Sequence, residues 1–184
     1  MRAALLALVL VLVAACTPAV KGPPPNPRLD KLFAELAAAP NQAEAGPIEA
    51  RIWNVWNQSG SPTVDILLER AQAAEAGGDV NHARAFLDRA AEILPNYAEV
   101  YDRRAVLAMN SEDAQSAIED ISKTLELEPR HFGALAGLGM IYESMGQKKA
   151  ALAAYKDALA IHPNLEAAKQ GVKRLEPALE GRET

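Results

Sequence analysis

The chain has 184 residues, 49% hydrophobic and 23% charged, with a formal net charge of −5. That suits one domain or one short repeat array, and it excludes the basic stripe that nucleic-acid binding requires. Aromatic residues make up only 5% and alanine is abundant, so helices are expected rather than a strand-built fold.

Residues 1–15 pair a positive start, Met1-Arg2, with an uncharged apolar run from Ala3 to Ala15. Thirteen residues reach only ~20 Å as a helix, short of the ~30 Å hydrocarbon core. A signal peptide is therefore expected in place of a transmembrane anchor. The run ends in Val13-Ala14-Ala15-Cys16, and Cys16 is the single cysteine. This string resembles the lipobox of bacterial lipoproteins. The resemblance implies lipid attachment at Cys16, cleavage before it, and a periplasm-facing protein tethered to an envelope membrane. Two or three acyl chains would hold it stably where one would not. Thr17, standing where an aspartate would retain such a protein at the inner membrane, favours the outer membrane. Residues 16–28 carry Pro18, Pro23, Pro24, Pro25 and Pro27 and read as an extended tether.

Helices are predicted next at 29–38 and 47–58. Pro40 stops the first, Pro47 suits an opening turn, and Gly60-Ser61-Pro62 closes the pair. Residues 29–62 are expected to form a divergent helical pair packed on the unit that follows. Ile48, Ile52, Val55 and Trp56 would face that unit, with Trp53 at the edge of the stripe. Both tryptophans read as core filler.

From residue 63 a period takes over. Pro95, Pro129 and Pro163 stand 34 residues apart, in "ILPNYAEVY", "LEPRHFGAL" and "IHPNLEAAK". Three units, 64–97, 98–131 and 132–165, share small residues at equivalent places: Ala71, Ala105 and Gly139, then Ala83, Ala117 and Ala151. Large residues recur at Leu87, Ile121 and Tyr155. Small residues mark close helix approach and large ones fill the gap between helices. Predicted helices are 64–76, 80–93, 98–109, 113–126, 131–144 and 148–160. The second unit lacks the glycine found as Gly78 and Gly146, and Asn110-Ser111 is expected to turn the chain there. A further helix, 165–175, within a final segment 164–184, would cap the open end.

These positions resemble the tetratricopeptide repeat, most fully in the third unit through Leu135, Leu138, Gly139, Tyr142, Gly146, Ala151, Tyr155, Ala158 and Pro163. The resemblance implies an all-α, right-handed α-solenoid of antiparallel helix pairs over 63–163. It also implies a concave groove lined by a second stripe of the first helix in each unit: Asp65, Leu68, Gln72, Glu75, then Glu99, Asp102, Val106, Met109, then Gly133, Ala136, Met140, Glu143. Five carboxylates there surround an apolar strip with two methionines, which adapt to varied apolar partners. The lysine and asparagine set by which some relatives clamp a peptide carboxylate is missing. A basic, amphipathic protein or peptide segment is the expected partner.

Arg70 and Arg104, one period apart, occupy a place where the third unit has Leu138. Their stems are expected to cover the core while the heads reach solvent, with an ion-pair network as the alternative. His131 and His162 flank inter-unit turns and read as solvated or capping residues. None of the three histidines, His82 included, has a second metal ligand three or four residues away on a shared helix face that forms a known motif, and no metal, nucleotide or hydrolase motif occurs. No catalytic residue, metal, cofactor or small-molecule substrate is therefore expected, and membrane contact is by lipid alone. The reading is a non-enzymatic scaffold or assembly factor of the bacterial cell envelope. The alternatives are an accessory of cell-wall (peptidoglycan) enzymes or of a secretion or pilus system, or an enzyme with an unrecognised site.

Overall fold

A computed structural model describes residues 26–180. The expected signal peptide, Cys16 and most of the tether lie outside the described residues. The described residues form α1 (Pro27–Ala38), α2 (Gln42–Trp56), α3 (Pro62–Ala76), α4 (Val80–Ile93), α5 (Ala98–Asn110), α6 (Ala114–Leu127), α7 (Phe132–Ser144), α8 (Lys148–Ile161) and α9 (Glu166–Glu180). Among them no helix is long and apolar enough to cross a membrane.

Local chemistry sets the starts. The side chains of Asn26, Asn41, Ser61, Asp79 and Asp113 each accept from a backbone N–H three residues on, which satisfies donors that have no intrahelical partner. Pro27 and Pro62 occupy first helical positions, where no N–H is needed. Pro27 and Arg28 thus belong to α1 rather than to the tether. Helix α2 opens at Gln42, five residues before the expected start, because Asn41 caps it; Pro47 lies inside and forfeits one intrahelical bond. Helix α9 likewise runs through Pro177 and beyond the expected end at 175.

Helices α3 to α8 stack as three antiparallel pairs, and α9 packs on α7 and α8. The result is an α-solenoid. Small residues sit between the helices as the period requires: Ala71, Ala83, Ala105, Ala117 and Ala151 are all buried. Tyr155 fills the last interval and is pinned between two glycines. A Cβ on Gly139 would lie 2.6 Å from its ring, and one on Gly171 closer still. The turn in the second unit differs from expectation. Asn110 remains helical, and Glu112 takes the left-handed conformation, φ 59°, at the place of Gly78 and Gly146.

The two arginines diverge. Arg104 Nε lies 3.3 Å from Asp120 and 3.5 Å from Asp88, so it joins an ion-pair cluster instead of reaching solvent. Arg70 is exposed, with its guanidinium 6.0 Å from the Phe86 ring centroid.

The largest departure concerns α1 and α2. They form a hairpin, but it does not continue the stack on α3. Leu29, Leu32, Phe33, Leu36, Ile52 and Trp56 pack on Phe132, Ile161 and Leu165, from the second half of the array. The hairpin therefore lies across the turns between units. Its apolar stripe was visible in the sequence, but the surface that receives it was not.

Candidate partner-binding groove

Three turns carry the hairpin. At the first, Tyr97 Oη donates to the Trp56 carbonyl at 2.8 Å. At the second, Arg130 lies 4.4 Å from the Phe33 ring centroid and reaches Asp30 at 2.7 Å. The His131 ring stacks on Trp56, centroids 4.4 Å apart and planes 12° apart, and Trp53 meets His131 and Phe132 edge-on. At the third, Asn164 Nδ2 donates to the Ala39 carbonyl at 2.7 Å, and His162 Nε2 lies 3.1 Å from Glu49 Oε2. Both histidines are fully buried. The solvated reading fails for each, while the capping one holds for His131, whose Nδ1 accepts from Ala134 N–H at 3.0 Å.

The hairpin divides the expected groove. On the covered side, Trp53 presses on Gly133 so closely that a Cβ there would sit 2.9 Å from the indole. Glu99 is buried, Asp102 is half-buried, and Ala136 is buried in the core beside Tyr155. Leu68 is buried in the core of the first unit and also lines a cavity with Gln72, Glu75, Glu99 and Val106. On the open side, Val106 and Met140 are exposed, as are Gln72 and Glu75. Met109, Ala114, Met140 and Ile141 line an apolar cleft whose polar members are Glu112 and Ser144. Asp65, at the far end, is held by the Ser59 hydroxyl.

The groove also contains cations that the stripe itself did not suggest. Arg103 Nε lies 3.2 Å from Glu99 Oε1, and Arg174 makes a two-pronged contact with Glu143 at 3.2 and 3.0 Å. The hydrogen bond from Arg174 holds the Glu143 carboxyl below its ordinary range. Burial, reinforced by hydrogen bonding to Glu143, pushes the Tyr155 hydroxyl up to about 12. Glu75 accepts from the Asn110 side chain at 3.0 Å and shares a cavity with Gln72, Glu99, Arg103 and Val106.

Glu99, Asp102 and His131 bring ligand-type atoms within 4.8 Å of one another. This trio escaped the sequence reading because it spans α5 and the turn before α7, not one helix face. It suits a proton better than a metal. The Nδ1 lone pair takes Ala134 N–H, which leaves the neutral ring's proton on Nε2 and no lone pair for a cation. Nε2 faces Glu99 Oε2 at 3.8 Å, and Asp102 Oδ1 lies 3.7 Å from Nδ1. Burial opposes charge on His131, yet the Glu99 and Asp102 carboxylates outweigh it and raise its pKa. Burial also raises the Asp102 pKa.

Comparison with known proteins agrees with this architecture. Residues 103–166 match the family described as Tetratricopeptide repeat. A TPR repeat-containing protein of Rhizobium etli is 36% identical over 160 residues, spanning 87% of this chain and 78% of the relative. The TPR domain of Arabidopsis OM64 superposes with a TM-score of 0.60 at 27% identity, over 63% of this chain and 96% of that one. The first TPR of Spaghetti (RPAP3), solved bound to the HSP90 peptide SRMEEVD, gives 0.61 at 18% identity, over 65% and 95%.

Proposed function

The chain belongs to the tetratricopeptide-repeat family, and from that premise we propose that it is a non-enzymatic scaffold whose open groove seats a segment of a protein partner. The observation that carries this reading is the cleft formed by Met109, Ala114, Met140 and Ile141 beside Glu112. Apolar side chains of a partner would enter the cleft, and a lysine or arginine would meet Glu75 or Glu112. Methionine-lined surfaces adapt to varied apolar shapes. The SRMEEVD peptide on the RPAP3 repeat is acidic; the carboxylates here suit the opposite charge.

The same proposal extends to place. The lipobox-like Val13-Ala14-Ala15-Cys16 supports a lipid-anchored protein on the periplasmic side of a bacterial envelope, with the outer membrane favoured by Thr17. Its work would be holding or assembling other envelope proteins.

Recovery of partners from solubilised envelope membranes tests the groove. The parent chain should retain a discrete protein that a folded Met109→Ala/Met140→Ala variant loses. Equal recovery by both would reject the groove as the working surface. Enrichment of glycan fragments instead would favour the helper of cell-wall enzymes.

A further inference from the structure

Each first helix of a unit turns one face toward the unit before it. In α5 and α7 that face is filled by the preceding α4 and α6. Val100 and Ala134 are 0% and 1% exposed, and Leu107 and Ile141 are buried as well. One period earlier, α3 carries Ile66 and Ala73 at the same places. Ile66 is 50% exposed and Ala73 is exposed. Because the α1–α2 hairpin lies across the turns, it leaves this face of α3 open among the described residues.

Charge repeats the pattern. Arg104 is met by Asp120 from its own unit and by Asp88 from the preceding helix. Arg70, one period earlier, meets Phe86 where Arg104 meets Asp120. Among the described residues it has no ion pair, and nothing takes the place of Asp88.

We propose that this face of α3 docks an α-helix from a protein partner, one whose alanine- and leucine-rich stripe is flanked by an acidic residue. That is the chemistry α4 presents to α5 through Leu87, Asp88 and Ala91. The incoming helix covers Ile66 and Ala73, and its carboxylate meets Arg70. It extends the stack by one layer and leaves the groove free. A second copy offering the same face is disfavoured, since the two Arg70 side chains would oppose each other.

The probe is a helix-stapled, fluorescent peptide of residues 79–94, with the staple opposite Leu87, Asp88 and Ala91. Saturable anisotropy is expected with the full chain. Ile66→Asp and Arg70→Glu should each weaken it roughly tenfold or more, with unchanged helical content by circular dichroism. Arg70→Asp in the chain should be rescued by Asp88→Arg in the peptide. Absence of saturable binding overturns the proposal, as does binding that ignores both substitutions. Sedimentation that reveals a dimer dissolved by Ile66→Asp also overturns it, because a second copy would then own the face.

Discussion

Glu112 holds a backbone conformation that its equivalents, Gly78 and Gly146, adopt without a Cβ penalty. A left-handed conformation costs a side-chain-bearing residue about 1–2 kcal/mol. Glu112→Gly should therefore stabilise the array by about 1 kcal/mol, read as a higher denaturant midpoint at unchanged slope. The opposite effect is expected where glycine makes room. Gly171→Ala drives a methyl into the Tyr155 ring and should destabilise by about 1–3 kcal/mol. Titration gives a third residue-scale expectation. His131 and Asp102 both have raised pKa values in the fold. Each therefore contributes stability that is present below its ordinary pKa and fades as pH rises through the folded one. The second proton on His131 must enter at Nδ1, exchanging the Ala134 cap for Asp102. Trp53 and Trp56, the chain's two tryptophans, both touch His131. Their emission should red-shift as pH climbs above 6.5, the ordinary histidine value, and passes through the raised pKa of the folded state, and His131→Gln should flatten that response.

At the scale of elements, the hairpin depends on its aromatic contacts with the second turn. Trp56 packs on Phe33, Trp53, His131 and Phe132 together. Its replacement by alanine should cost about 3–5 kcal/mol, concentrated in hairpin docking and not in the array. Proteolysis within 57–61 should accelerate while helical content stays the same. The helices themselves were legible because phase-locked prolines, capping residues and small–large alternation are local signals, and six of the predicted repeat helices lie within a residue or two of their observed bounds. The hairpin's address was not. A stripe such as Ile48, Ile52 and Trp56 declares that a helix buries one face, without naming the surface that receives it. Similarly, Glu112 gave no sign of a left-handed turn, because its residue type argues against one. His131 and His162 looked like surface turn residues, since the helices that bury them lie about 80 to 110 positions away in the sequence.

For the whole molecule, the hairpin, array and cap together decide which surfaces remain for partners. The groove positions that stay open, Val106, Met109, Met140, Glu75 and Glu112, form a narrower site than the repeat pattern alone implies, and the covered positions serve internal packing. At the N-terminal end, the lipobox-like string predicts that Cys16→Ser releases the protein from salt-washed membranes, because an alcohol does not replace the thiol in lipid transfer; retention of the variant would reject the anchor. The central claim is that the open half of the groove is where a protein partner sits. Site-specific photocrosslinking measures this directly, with a benzoylphenylalanine placed at Met140 or Val106 and, as a control, at the exposed Ala153 of α8. Illumination of the intact envelope fraction should yield a discrete protein adduct from the two groove positions and none from Ala153. No adduct at Met140 and Val106, or an equal one at Ala153, would contradict the account.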